Sequence, residues 1–426
     1  MQKSNLYRSY LLIVLLLILA FNYVDRLAVG LVLQDIKSDL SLSDTQLGLL
    51  TGMAFALFYS VMGIPIARWA DRGNRVAIIS ITTALWSVAV ALCGFAASFL
   101  QLLLIRVGVA VGEAGCVPPA HSLIADYFAR EERPRAVARY MLGTPLSMMI
   151  GYFFAGWLNQ IYGWRLTFMI IGLPGLVLTA LAWFTLQEPR RSRPASHTSM
   201  PQASLREVMV VLWANRTFRH LLCCFSVVAF FGNGILQWQP AFFIRSFGLT
   251  TGELGTWLAA IYGIGGAVGL YAGGALASRR AAGNERLQLA AAAIAYCAFA
   301  ILAASVYLTS NRYVAFGLTT LGAVGAAAIT GPLFATIQTL VPEQMRATSI
   351  ALMYLFANLI GMGLGPLATG ALSDALRPLF GEESLRYALL VLCPGYLWAA
   401  WHLRRASRTV MSDLGEVGAP QSLVTV

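Results

Sequence analysis

The chain has 426 residues and carries 30 Lys and Arg against 19 Asp and Glu, a formal net charge of +11. Hydrophobic residues make up 58% of it and charged residues 12%, about half of the roughly 25% of a soluble globular protein. That composition, with a mean hydropathy of +0.69, excludes a basic soluble protein and leaves room for roughly ten to fourteen spans of about 20 apolar residues.

Lys3 and Arg8 precede an apolar run from Tyr10 to Tyr23 that has the look of a secretory leader. No small-residue cleavage site follows, and the run continues through Asp25-Arg26, so a retained first helix is predicted. Runs at about 45–67, 76–97, 100–128, 136–160 and 164–186 bring the count to six. Residues 187–217, with Pro189, Pro194, Pro201 and several arginines, read as a cytoplasmic linker with an interfacial helix. Six more runs follow at about 218–244, 252–278, 287–308, 313–340, 346–373 and 385–403. The expected organisation is a six-helix bundle over 1–186, the linker over 187–217, a second six-helix bundle over 218–406 and a cytoplasmic tail over 407–426. The fold class is an all-α membrane protein with twelve transmembrane helices in two pseudo-symmetric bundles.

The halves echo each other. Ala67 to Arg75 (ARWADRGNR) follows the second run, and Gly274 to Arg279 with Gly283 to Arg286 follows the eighth. Gly143, Pro145, Gly151 and Gly156 on run five match Gly361, Gly363, Gly365 and Pro366 on run eleven. Such residues allow close helix approach and local unwinding. With the N-terminus inside, 22 of the 30 basic residues fall on the cytoplasmic side, which places both termini there. Lys37, Arg165, Arg245, Arg312, Arg377 and Arg386 fall on the other side, and Arg26 and Arg106 remain within the membrane.

The residue inventory excludes several chemistries. The only lysines are Lys3 and Lys37, so neither a lysine-bearing phosphate loop nor a Schiff-base lysine within the membrane exists. The arginines fall in short clusters instead of along one face, which argues against a nucleic-acid partner. Cys93, Cys116, Cys223, Cys224, Cys297 and Cys393 lie in apolar runs without a C-x-x-C and read as small buried hydrophobes. There is no His–acid metal cluster and no G-x-S-x-G elbow; His121 stands alone after Pro118-Pro119. No enzyme, metal or organic cofactor is expected.

Four charges lie deep in apolar runs: Asp25 and Arg26 on helix 1, Arg106 and Glu113 on helix 4. A charge at the bilayer centre costs roughly 2.5–3.5 kcal/mol on insertion scales, so each must face a cavity or a partner. Asp25 and Arg26 diverge by about 100° around their helix and cannot pair side by side. Arg106 and Glu113 lie two turns apart on one face. Pairing across helices is expected, Asp25 or Glu113 with Arg106, leaving Arg26 to line a cavity or its mouth. Gly108, Gly112 and Gly115 admit a neighbouring helix. The quartet fits a proton relay built on Asp25, Glu113 and Arg106, with the proton as coupling ion. The relay is favoured over a structural ion-pair network holding helices 1 and 4 together, and Arg106 fits an anion anchor as well as a relay partner. The second half has no charge inside its runs from Leu221 to Leu372. Its aromatic and polar side chains, among them Phe230, Asn233, Gln237, Trp238, Gln338, Tyr354 and Asn358, join Arg26 and Arg106 as candidate cavity residues. Such a cavity would take a ligand with an apolar body and a small polar or anionic head.

Two six-helix halves, a basic linker and the Asp71-Arg72-Gly73-Asn74-Arg75 loop resemble the major facilitator superfamily, with Ala67 where its loop signature usually begins with glycine. The resemblance implies a cytoplasmic gate of Asp71, Arg72 and Arg75 braced by Asp126 and Arg346. Ser278 replaces the aspartate of the second-half copy and leaves that lock asymmetric. Asn22-Tyr23-Val24-Asp25-Arg26, Gly112-Glu113-Ala114 and Ile124-Ala125-Asp126-Tyr127-Phe128 are similar to the Spinster family. That family is implicated in proton-linked export of lysolipids and sphingoid phosphates, and its coupling residues would fall on the same buried quartet. The expectation is a proton-driven alternating-access transporter of an amphiphilic lipid or organic anion, monomeric, in contact with membrane lipids, and in the inner membrane if bacterial. The alternatives are a proton-coupled multidrug or small organic anion exporter of the same fold, and a passive channel.

Overall fold

The computed structural model describes residues 5–129, 132–189, 205–280, 284–340 and 345–418. Every regular element among them is helical. The arginine cluster of the expected linker and the end of the expected tail fall at 190–204 and 419–426, outside the described residues.

Local chemistry sets where the helices begin. α1 spans Asn5–Leu40. The next helix, α2, opens on a capping box in which Ser43 accepts from the Gln46 backbone N–H and Gln46 accepts in return from that of Ser43. It runs through Asp44–Gly48, a wider π turn Leu49–Met53, and Ala54–Arg72. Asn74 caps α3, Arg75–Cys93, and Ser98 caps the first part of α4, Phe99–Glu113, which continues as Val117–Tyr127 behind Pro118 and Pro119. Arg133–Met141 leads into Gly143–Thr185, which breaks at Gly163 (φ 75°), a backbone shape that only glycine takes easily; α5 lies before the break and α6 after it. A linker helix, Leu205–Ala214, precedes α7, Arg216–Phe247. Capped by Thr250, α8 comprises Thr251–Leu258, the π segment Ala259–Gly265 and Gly266–Arg280. α9 is Glu285–Leu308 and α10 is Arg312–Thr339. α11 comprises Arg346–Phe356, a π segment Ala357–Leu364 and Gly365–Phe380; α12 comprises Ser384–Leu392 and Gly395–Gly418. Ten stretches among the described residues are long and apolar enough to cross a membrane. Two are double: Arg135–Thr185 turns at Gly163, and Leu352–Leu414 turns at Gly381–Glu383. The described residues therefore contain twelve spanning helices.

α3 shows why these helices belong in lipid. Its outer stripe is Ile81, Leu85, Val88 and Leu92, all nearly half exposed, at helical spacing. Its inner face carries Ser80, Thr83, Trp86 and Ser87, all fully buried. Ser80 and Ser87 donate to the carbonyls of Val76 and Thr83, four residues back, at 2.9 and 2.6 Å, so no hydroxyl needs water. Apolar residues outside and small polar residues inside reverse the soluble pattern, as hydrocarbon solvent requires. The inner face meets α4 where Gly112 approaches: a Cβ there would lie 2.6 Å from the Trp86 backbone nitrogen. That contact fixes the height of Glu113, the next residue.

By contacts the chain forms two compact units. Unit one holds Met1–His197, Leu236–Ile264 and Pro366–Ala388; unit two holds Thr198–Ile235, Gly265–Gly365 and Leu389–Val426. In unit one α1 packs along α5 and α6, and α3 packs against α4 and α6. The core of unit two joins Phe218 and Leu221 of α7, Leu289 of α9, Ile337 of α10 and Leu403 and Val410 of α12.

Candidate functional site

The buried charges of unit one pair in a crossed pattern. Arg106 of α4 donates through Nη1 to Asp25 Oδ2 of α1 at 2.6 Å, with both side chains at most 3% exposed. Arg26, one residue along α1, donates through Nε to Glu113 Oε2 of α4 at 2.6 Å. Because Asp25 and Arg26 point in different directions and Arg106 and Glu113 differ in height by two turns, one helix pair accommodates both bridges. Arg26, expected to line a cavity or its mouth, has an acid partner of its own. It is bridged to Glu113 and enclosed by the rings of Phe55, Tyr23 and Tyr59, at 4.5, 4.7 and 4.8 Å from its guanidinium carbon. Phe55 also lies 5.3 Å from the Arg106 guanidinium, so a single ring touches both cations.

These bonds leave one oxygen of each carboxyl, Asp25 Oδ1 and Glu113 Oε1, and both polar atoms of Asn22 buried without a partner among the described residues. The two bridges together bury two acids and two arginines between α1 and α4.

At the α2–α3 turn, Arg75 is fully buried and pairs with Asp126 at the end of α4 at 2.6 Å. It also pairs with Glu188 and donates to the Ser122 carbonyl and hydroxyl at 3.0 and 2.9 Å. Glu188 also accepts from the Arg75 backbone N–H at 2.7 Å. Sequence reading named Asp126 and missed Glu188, which looked like part of the linker; its signal was its place two residues beyond the end of a span. Arg72 is exposed on the same turn, whereas the side chains of Asp71 and Arg346 lie outside the described residues.

A second charged network sits at the other ends of these helices and was also missed. Asp44, 1% exposed, accepts from Lys37 at 2.6 Å, from Arg245 through two nitrogens at 2.7 and 2.8 Å, and from the Ser373 hydroxyl at 2.7 Å. Gln34 accepts from Arg245 Nε at 2.7 Å. Asp374 sits over the start of α2, accepting from the backbone N–H groups of Asp44 and Thr45 at 3.0 and 2.7 Å and from the Thr45 hydroxyl at 2.6 Å. All these residues belong to unit one. Read singly, Lys37 and Arg245 had been loop charges; what would have exposed the network is that Asp44 follows a helix cap, where a carboxylate is not left idle.

The remaining candidate cavity residues are spread over both units. Gln237 packs against Gly30 in unit one. Trp238 is fully buried there, its indole N–H donated to the Pro366 carbonyl at 2.9 Å, which puts it in the packed interior. In unit two Phe230 stands edge-on to Phe231, and Asn233 donates to the Ala229 carbonyl of its own helix at 2.8 Å. Tyr354 is half exposed and Asn358 lies within the α11 π segment. The Gln338 side chain lies outside the described residues.

Twelve helices of this kind, with charges buried between the first and fourth, define a membrane transporter. The chain belongs to the Major Facilitator Superfamily, whose family model matches residues 15–409. Like the members it resembles, it is a multi-pass membrane transporter and not an enzyme. It is 34% identical over 385 residues to an MFS-type efflux pump of Mycolicibacterium smegmatis, covering 89% of this chain and 87% of that protein. It is 27% identical to protein spinster homolog 1 of Xenopus tropicalis, covering 89% and 77%. A solved structure of a bacterial homolog of the human lysosomal transporter Spinster, inward-facing and unoccupied, superposes with a TM-score of 0.85 at 33% identity, covering 96% of this chain and 99% of that one.

Proposed function

We propose that the chain is a proton-driven secondary transporter that moves an amphiphilic lipid, of lysolipid or sphingoid-phosphate type, or a related organic anion by alternating access. The observation that carries this reading is the crossed quartet: two acids and two arginines, buried, coupled, and with one unbonded oxygen on each acid. Protonation of Asp25 or Glu113 removes one charge from a network that is otherwise neutral and frees an arginine. Arg106 or Arg26 can then turn to the anionic head of a substrate, and release of the substrate returns the arginine to its acid. Coupling needs no more than this exchange of partners.

The arginine bias supports a topology with both termini in the cytoplasm, in the inner membrane if the source is bacterial. On that orientation the Arg75–Asp126–Glu188 cluster braces the cytoplasmic ends of unit one, and the Asp44 network is a lock on the opposite face. The test uses purified protein in liposomes with a lysolipid substrate and an imposed pH gradient. Asp25→Asn and Glu113→Gln should each abolish acceleration by the gradient. If both variants retained the parent's gradient dependence, the relay would be refuted. The similarity to an efflux pump supports a second reading, export of small hydrophobic compounds. Competition distinguishes the two: lysolipid should displace a transported anion, whereas a hydrophobic cation should displace neither.

A further inference from the structure

Away from the quartet and both charged clusters, unit two contains a basic cavity of about 500 Å³ between the start of α7 and the Gly395–Gly418 part of α12. Its size falls within the roughly 300–1,000 Å³ typical of small-molecule sites. It is lined by Arg216, Arg219 and His220 from α7 and by His402, Arg405 and Arg408 from α12. No carboxylate among the described residues lines it. The nearest acid on α12, Asp413, is buried and accepts from the Thr217 backbone N–H at 2.7 Å. None of the four lining arginines forms an ion pair among the described residues. Four like charges so close repel one another, and an uncompensated group of this kind inside one cavity is stabilised by an anion.

The cavity is built, not frayed. Asn215 caps α7 through the Phe218 N–H at 2.7 Å, and the Thr217 and Thr409 hydroxyls bond across the two helices at 2.6 Å. Behind the arginines, His220 and His402 meet ring nitrogen to ring nitrogen at 3.1 Å, and His402 is only 8% exposed. Depth in the membrane is marked independently. Trp398 and Trp401, each about half exposed, lie beside the cavity against His402, the pattern of indoles at headgroup level. Arg405 lies over the Trp401 ring, 5.3 Å from its centroid. A planar guanidinium fork matches phosphate oxygens, and tryptophans beside it match the glycerol and upper acyl region of the same molecule.

We propose that this cavity binds the phosphate headgroup of an anionic phospholipid, separately from the transport pathway. The proposal depends on the reading above only in assigning the site to the cytoplasmic leaflet; the binding itself requires no transport. Each basic residue near a membrane surface strengthens attraction of an anionic lipid by about fivefold, so removing two should weaken it by roughly 25-fold.

The experiment titrates the purified full-length protein in neutral detergent with phosphatidylglycerol, with phosphatidylcholine or with inorganic phosphate. Tryptophan fluorescence and the thermal midpoint are read in each arm. Phosphatidylglycerol should saturate both signals, phosphatidylcholine should not, and phosphate should act only at far higher concentration. Arg216→Gln/Arg408→Gln, at two exposed positions that leave the fold intact, should lose about 25-fold in phosphatidylglycerol affinity, and Arg216→Lys/Arg408→Lys should recover part of it. Asp25→Asn should bind phosphatidylglycerol like the parent, which separates this site from the relay. Equal responses to the two lipids, or an unchanged affinity in the glutamine pair, would overturn the proposal. Saturation by phosphate as readily as by phosphatidylglycerol would overturn the assignment to lipid.

Discussion

The two crossed bridges should respond differently to removal of one partner, and the structure gives the size of the difference. In the Asp25–Arg106 pair both side chains are at most 3% exposed, so deleting either charge strands the other in a nearly dry interior. Breaking a buried pair in this way costs about 3–5 kcal/mol. Asp25→Asn and Arg106→Gln should therefore destabilise to a similar degree, and Asp25→Asn/Arg106→Gln should recover about 0.5–3 kcal/mol relative to the sum of the single changes. The Arg26–Glu113 pair is lopsided. Glu113 is fully buried, but Arg26 is 15% exposed and lies against three aromatic faces. Each face is worth about 0.5–1 kcal/mol to a cation, so Arg26 tolerates the loss of Glu113 better than Glu113 tolerates the loss of Arg26. Arg26→Gln should cost about 1–2 kcal/mol more than Glu113→Gln. Equilibrium unfolding in mixed micelles at constant pH measures all five variants against the parent. If Asp25→Asn and Arg106→Gln were additive within about 0.5 kcal/mol, or Glu113→Gln were the costlier change in its pair, the reasoning from burial and ring contacts would be wrong.

The charged clusters at the helix ends yield two further expectations. Asp44→Asn leaves Lys37 and Arg245 without their shared carboxylate and should loosen the contact between the ends of α1 and α7. Spin labels at the exposed positions Ser38 and Thr250 should then report a longer and broader distance distribution; an unchanged distribution would mean the network is not a lock. Glu188→Gln weakens one of two partners of a fully buried arginine while Asp126 remains, so it should destabilise by about 1–3 kcal/mol. Arg75→Gln, which strands both acids, should be worse, and thermal unfolding that ranked the two in the opposite order would count against the assignment.

How much of this was legible beforehand depended on the scale of the signal. Twelve spans could be read because hydrocarbon solvent imposes a run of about 20 apolar residues, and a run is a local property. The quartet could be read because charge in a run is costly and stands out, and adjacency on α1 already ruled out pairing side by side. The identity of each partner was open, since whether Asp25 or Glu113 meets Arg106 depends on the relative height of α1 and α4. That height is set by contacts such as Gly112 against the Trp86 backbone, which no local pattern encodes. Glu188 and Asp44 were overlooked for the opposite reason. Both lie at span ends, where charge is ordinary, and only tertiary structure turns Glu188 into the partner of a buried arginine or gathers Lys37, Arg245 and Ser373 around Asp44.

The placement of the three charge clusters in unit one bears on how an ion gradient could act on it. The end clusters are over-bonded: Asp44 has three side-chain donors, and Arg75 has two acids and a carbonyl. At either end a proton must compete with several donors: on Asp44 it would take the shared carboxylate from Lys37 and Arg245 together. The central quartet is under-bonded, with one ion pair to each acid and one oxygen of each left over. There a single proton removes half of the charge pairing at once and leaves a buried cation seeking an anion. Of the three, the central cluster is thus the one whose acids keep an oxygen open to a proton, and an anionic substrate is the partner that would restore its balance.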